Sequence, residues 1–494
     1  MMQFPKIIQG GMGVGVSNWR LANAVSKLGQ LGVVSGTALD QLFVRRLADG
    51  DEGGYMRRGL DAFPFPEMAK RIWQEYFVPG GKPSGAPYPV TPMHQRREPR
   101  KLVELLMVSN FVEVFLAREG HDNPVGINFL EKVQLPHLPS IYGAMLAGVG
   151  YVLMGAGIPL HIPGVLDAFA AQHAAEYKLS VTGALPGMDT QMLLDPADYA
   201  EGPLPILRRP RFLAIVSSNT LATTMLRRAS GRVDGLILET PIAGGHNAPP
   251  RGKLQLSASG EPVYGERDAV NIEGLRALGV PFWMAGGYGN PEKVREALDE
   301  GAAGVQVGTA FAFTEESGLE IGLKNSLLAK AVAGTGEVFT DPLASPTGFP
   351  FKVAQLQGSY SDEAVTAKRT RVCDMGYLRE PYAAPDGTIG YRCAAEPVAN
   401  FVAKGGKVEE TVGRKCLCNA LLSNIGYAQI RKDASIEPPL VTVGDDLNTV
   451  AQFLAPGRKS YTAADVVKSL LSLSASSLEN EPAQVGEAVL AATA

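Results

Sequence analysis

Charge is scarce in this chain of 494 residues: 19% are Asp, Glu, Lys or Arg, and 46 basic side chains stand against 50 acidic ones. So even a balance excludes the basic surface that nucleic acid or an anionic membrane would select. Cysteine is scarcer still, with four residues and none before position 373. That excludes a disulfide-built scaffold, and MMQFPKIIQGGMG shows no basic segment leading into an apolar core and a cleavage site. A reducing cytoplasm is therefore the expected location. Residues 133–166 lack Lys, Arg, Asp and Glu, a run long enough on paper to cross a bilayer. Pro136, Pro139, Pro159 and Pro163 interrupt it, with His137, His161 and several glycines. It reads as buried core, and no membrane span is expected.

What the chain does have is apolar content, 45% of residues, with mean hydropathy near zero and 56 glycines. That composition builds a compact fold with ample core. Short apolar runs recur, most ending in Gly, Ser or Thr and followed by a helical pattern: KIIQGGMG (6–13), LGVVSG (31–36), PVGINFL (124–130) and YVLMGAG (151–157), then RFLAIVSS (211–218), VDGLILET (233–240), VPFWMAGG (280–287) and AGVQVGTAF (303–311). Eight unbroken apolar strands alternating with helices predict an α/β fold, a (β/α)8 TIM barrel, whose strands are covered on both faces. KLSVTGAL (178–185) reads as a ninth strand in an excursion after the fourth unit, and Asn219 and Asn290 as helix N-caps. The barrel is expected over 1–335, with a Pro-, Gly- and Arg-rich insertion at 50–123 lying over its mouth after strand 2. A C-terminal module with the four cysteines follows over 336–472, then a mobile tail over 473–494.

In such a barrel the chemistry sits at the C-terminal strand ends. The residues there are Gly10, Gly11, Met12 and Gly13 on strand 1, Asn128 on strand 3, and Ser217 and Ser218 on strand 5. Strand 6 gives Gly244, Gly245 and His246, strand 7 Gly286 and Gly287, and strand 8 Gln306, Gly308 and Thr309. AGGYGNPEKV and VGTAF supply free backbone N–H groups on the last two strands, the pattern of a phosphate site; tight turns alone would use the same glycines. His246, the only histidine after residue 173, follows two glycines that would let a flat ligand approach the backbone. As acid or base it is expected to titrate near neutrality; a structural histidine at a loop edge is the plainer reading. Arg251, in NAPPRG, would meet either an anionic substrate group or a carboxylate of its own chain. Cys373, Cys393, Cys416 and Cys418 cluster in one module, which admits zinc or an iron–sulfur cluster, although no paired CxxC spacing is present and buried free thiols read equally well.

Taken in order, IIQGGMGVGVS, GINFL, AGGH, the AGG of 285–287, GVQVGTAF and DPLASPTGFPFKV resemble the nitronate monooxygenase (2-nitropropane dioxygenase) family over about residues 5–350. That group of FMN-dependent barrels also includes a flavin enoyl-acyl-carrier-protein reductase. The resemblance implies FMN, its phosphate held by Gly286, Gly287, Gly308 and Thr309, with Gly11, Met12, Asn128 and Gln306 near the rings and ribityl chain. Gly13, Ser217, Gly244 and Gly245 complete the expected cofactor set, and the AGGH histidine, His246, lies on the flavin's substrate side. Many nitronate-oxidising members carry a strand-4 histidine where this chain has Gly155, in MGAGIP, and here it departs from the pattern. The implied activity is oxidation or reduction of a small activated carbon substrate with His246 as acid or base. An enoyl-thioester reductase using NAD(P)H, with an acyl-carrier partner, is the second reading, and a non-catalytic flavin-binding subunit the third; a homo-oligomer is compatible with each.

Overall fold

The computed structural model of the chain describes residues 4–475. Its centre is a ring of eight parallel strands: β1 (Ile7–Gln9), β2 (Gly32–Ser35), β3 (Val125–Leu130), β4 (Tyr151–Gly155), β5 (Arg211–Val216), β6 (Gly235–Glu239), β7 (Phe282–Ala285) and β8 (Gly304–Val307). Neighbours follow chain order from β2 through β8, and β8 pairs in parallel with β1. The ring closes between β1 and β2, where Leu31 N donates to Ile7 O at 3.1 Å and Gln9 N to Leu31 O at 2.9 Å. All eight expected strands are present, and the fold is the expected barrel with helices around it.

Successive strand residues face opposite sides of the sheet. Ile8, Leu31, Val33, Tyr151, Leu153, Leu213, Ile237, Trp283 and Ala285 form the barrel interior. Their neighbours Ile7, Val34, Val152, Phe212, Leu236, Leu238 and Phe282 pack outward in the core that carries the helices. Both faces are apolar because both are buried, which explains the unbroken runs. Trp283 fills the interior, and its indole N–H is satisfied by Pro5 O at 2.8 Å.

Asn290 caps the helix Pro291–Asp299, accepting from Lys293 N at 2.8 Å. The cap of Asn219–Arg228 is Ser218, one residue before the expected Asn219, whose amide instead donates to Asn271 O. The excursion strand is Ala175–Lys178, antiparallel to Gln191–Leu194; it ends at Lys178 instead of running to 185. Between β2 and β3, the helix Arg100–Arg118 packs beside Trp19–Lys27 and His137–Leu146 on the barrel's outside, tied by Asn23 Nδ2 to Ala117 O and Glu119 O. The stretch before it reaches residues beyond 335: Tyr88 N donates to Gln429 Oε1, and Arg96 N to Tyr391 Oη.

After the barrel come two antiparallel hairpins, β9 (Val338–Asp341) with β10 (Phe351–Ala354), and β11 (Glu380–Ala383) with β12 (Ile389–Arg392). Residues 441–446 then return to the strand ends: Gly245 N donates to Thr442 Oγ1 at 2.8 Å and Asp445 N to Ile242 O at 3.0 Å. A helix, Ala463–Ala475, packs against Pro291–Asp299. Of the tail expected over 473–494, residues 476–494 lie outside the described residues. Among the described residues no helix is long and apolar enough to cross a membrane.

Candidate functional site

A cavity opens at the C-terminal strand ends, and twelve of the sequence-expected residues line it: Gly11, Met12, Gly13, Asn128, Gly244, Gly245, His246, Gly286, Gly287, Gln306, Gly308 and Thr309. Ser217 and Arg251 lie elsewhere, on a second cavity. The two cavities share a wall of Ala156, Ile215, Glu239 and His246. The alternation that sends Val305 outward aims Gln306 at the cavity. Its Oε1 is buried without a hydrogen-bond partner, an acceptor that a ligand N–H would satisfy.

On the loops after β7 and β8, the N–H groups of Gly287, Tyr288, Gly289, Gly308 and Thr309 donate to no acceptor among the described residues. Gly287, Gly308 and Thr309 among them are residues that the sequence marked for a phosphate. The Thr309 hydroxyl, expected there too, is already engaged: it donates to Asp446 Oδ1 at 2.7 Å and accepts from Gly444 N at 3.0 Å. Burial raises the Asp446 carboxyl above its usual range, against the opposing hydrogen bond from Thr309. An approaching phosphate would raise it further and favour the protonated, hydrogen-bond-donating form.

Gly244, the first of the two glycines before the histidine, has a different reason from the one expected. A Cβ on Gly244 would lie 2.7 Å from the Val443 carbonyl carbon and 2.9 Å from Gly444 N. The close approach that Gly244 permits is therefore made by the chain's own backbone. Gly155, where a histidine was the family pattern, has no room for a side chain either: its Cβ would fall 2.7 Å from Ile215 Cβ.

His246 is joined to the module. Its Nε2 lies 2.7 Å from Ser345 Oγ, and its ring meets Phe351 edge-on with centroids 4.7 Å apart. Burial, then the nearby Lys132 charge, lowers the imidazole well below its ordinary value. The expectation that it titrates near neutrality is overturned: desolvation penalises the charged ring, so it is neutral at pH 7.

Two residues that sequence reasoning passed over interact at this site, Glu239 on the shared wall and Lys132 through its charge. Lys132 follows β3, and Glu239 ends β6. Burial is the main cause in both, bringing Lys132 down to about 7 and Glu239 up to about 7, each partly opposed by the other's charge. Glu239 was readable as the acid closing the apolar run GLILE.

All four cysteines are free and surround one small cavity, with Cys418 also on the wall of the larger one. A hydrogen bond between Cys373 and Cys393 lowers the first thiol and raises the second. Among the described residues no group of three or more His, Cys, Asp or Glu is placed to hold a metal ion.

Residues 207–342 match the family model described as nitronate monooxygenase. The match spans β5 to β8, and with them His246 and both glycine loops, but not the strand-1 and strand-3 residues of the cavity. No curated protein matches the chain. Among solved structures it is similar to FabK from Thermotoga maritima, at 16% identity and a TM-score of 0.46 over 96% of this chain and 94% of that one. It is similar also to a nitroalkane oxidase from Streptomyces ansochromogenes, at 17% identity and 0.44 over 96% and 97%. The enoyl reductase domain of MlnA from the macrolactin biosynthesis cluster of Bacillus amyloliquefaciens gives 12% and 0.45 over 97% of each chain.

Proposed function

We propose that the chain is an FMN-dependent oxidoreductase of the nitronate monooxygenase type, acting on a small activated carbon substrate. The observation that carries the reading is the pairing of free N–H groups on the last two strand loops with an unpartnered Gln306 acceptor in one cavity. Gly286, Gly287, Gly308 and Thr309 would hold the phosphate, with Asp446 protonated beside Thr309. Gly11, Met12, Asn128 and Gln306 would face the rest of the cofactor. Bound there, the flavin supplies two-electron or hydride chemistry that no side chain provides. Ser217 and Arg251, on the adjoining cavity, fit a substrate with an anionic group; among the described residues Arg251 has no carboxylate partner for its guanidinium, although Asp268 accepts from its backbone N–H. His246 exchanges protons at the shared wall, and its neutral form restricts it at pH 7 to accepting one. The free cysteines suit a reducing cytoplasm.

The reductive reading, an enoyl-thioester reductase fed by NAD(P)H and served by an acyl carrier, is favoured by Ile215 filling the space beside Gly155. The test is a visible spectrum of the purified protein with FMN titration. NAD(P)H consumption with a crotonyl thioester is then compared with oxygen uptake on a nitronate. Flavin bound with the first activity selects the reductase, and flavin bound with the second selects the nitronate oxidase. A protein that binds no FMN removes both.

A further inference from the structure

The wall between the two cavities carries chemistry that the cofactor reading does not use. Ile237 faces the barrel interior, so Glu239, two residues on, faces inward at the mouth. It lines both cavities. Among the described residues its carboxyl makes no hydrogen bond and no ion pair. Lys132 approaches from the end of β3, its ammonium 3.5 Å from the Phe349 ring centroid and 3.4 Å from Thr347 Oγ1.

A structural pair looks different, and this protein contains one close by. Lys352 Nζ lies 2.7 Å from both Asp445 oxygens and 2.7 Å from Thr340 Oγ1, so its three protons are all satisfied. Glu131 is likewise buried, but it accepts from Tyr177 Oη at 2.6 Å and lines neither cavity. Glu239 is half-buried, without a hydrogen-bond or ion-pair partner among the described residues, and open to a ligand from two sides. A carboxyl left in that condition costs stability, and such groups gather where chemistry needs them.

We propose that Glu239 is the proton donor of this site, protonating the substrate carbon where the two cavities meet, with Lys132 as the positioning residue that sets its charge. The assignment rests on the flavin oxidoreductase reading and supplies the donor that a neutral His246 cannot be. The substrate class is an α,β-unsaturated carbonyl compound. The Glu239 O–H bond breaks as a C–H bond forms at one alkene carbon. The other carbon receives hydride, its electron pair drawn through the cofactor from NAD(P)H. The resulting carboxylate is stabilised by the Lys132 ammonium and is reprotonated from water in the outer cavity. The charged and titratable groups around Glu239 are Lys132, which acts on it through its charge, and His246 on the wall, then Arg251, Tyr264 and Asp268 in the outer cavity. Glu239 and Lys132 interact, so their titration belongs to the pair.

The test uses the full-length holoprotein and the variants Glu239→Gln, Lys132→Met and Lys132→Arg. Infrared spectroscopy of the wild type is expected to show a protonated carboxyl band that titrates near pH 7, missing in Glu239→Gln. Lys132→Met should move that titration upward, because a favourable positive charge is removed, and Lys132→Arg should move it back. Turnover of an enoyl thioester per bound flavin is expected to fall about 10²- to 10⁴-fold in Glu239→Gln with flavin content unchanged. Wild-type turnover per flavin in that variant, or a carboxyl band identical to the wild type's, overturns the assignment while leaving the cofactor reading intact. A chain that binds no flavin overturns the cofactor reading, and the assignment with it.

Discussion

His246 Nε2 and Ser345 Oγ stand 2.7 Å apart, a contact between the end of a barrel strand and the loop joining β9 to β10, across 99 residues of sequence. The ring is thereby oriented by one element and presented by another. His246→Ala is expected to keep FMN and a near-normal spectrum while turnover per bound flavin falls about 10²- to 10⁴-fold. The limb of the pH profile near neutrality should persist in this variant, since the imidazole titrates well below it. Loss of that limb would return it to the histidine. Ser345→Ala, which frees the ring without removing it, should reproduce part of the rate loss.

The cofactor reading requires a yellow protein with about one non-covalent FMN per chain, because the free N–H groups form one phosphate-sized donor set. Gly287 lies in that set with φ of +79°, so its replacements must be chosen for backbone as well as charge. Gly287→Asp should abolish FMN retention, whereas Gly287→Asn, which tolerates the same φ, should keep a measurable share. Equal flavin content in the two variants would place the phosphate elsewhere.

Gly244→Ala tests the crossing of the strand-6 loop and residues 443–444. The added methyl has nowhere to go unless one of two backbones moves, and overpacking of that kind costs about 1–3 kcal/mol. A lower melting temperature is expected, with a larger loss of flavin than stability alone explains. An unchanged melting temperature would show that the crossing yields freely.

Stability against pH reports on Glu239 and Lys132 without any substrate. Glu239 is raised in the fold to about 7, so its contribution is full below about 4.5 and is lost as pH rises through 7. Lys132 is lowered to about 7, so its contribution is full above about 10.5 and is lost as pH falls through 7. Together they give a minimum near pH 7, a few kcal/mol deep. The melting temperature of Glu239→Gln/Lys132→Met, measured against the wild type from pH 5 to 9, should lack that dip. Parallel curves would show that the pair titrates alike in folded and unfolded chains.

The barrel was legible because its strands are buried on both faces, and burial on both faces writes an unbroken apolar run. LGVVSG and VPFWMAGG carry that signal without help from neighbours. The strand-end residues were legible for the same reason, since a strand's end fixes what faces the mouth. What lay beyond reading was contact between distant segments. Nothing in VTVGDD announces that Val443 crosses Gly244, or that Asp446 takes the Thr309 hydroxyl. The error over His246 has the same origin: its neutrality comes from a desolvation created by Phe351 and by the module around Ser345. Glu239 was visible in the sequence, but its significance depended on lacking a partner, which only the fold reveals.

The crossing of Gly244 by Val443 also orders events in time. The wall that the 441–446 segment completes is made about 200 residues after the strand it covers. At a ribosomal rate of roughly 5–20 residues per second, that interval is about 10–40 s. In its later part, once β7 and β8 have also been made, all eight strands are present while the mouth of the barrel lacks one side. Cofactor captured in that interval would meet neither Asp446 nor the Thr442 and Gly444 contacts, and would dissociate readily. On the FMN reading, loading is a late step, set by the arrival of a short segment made well after the barrel strands. A chain stalled before residue 441 would, on that reading, hold a closed barrel that keeps flavin poorly.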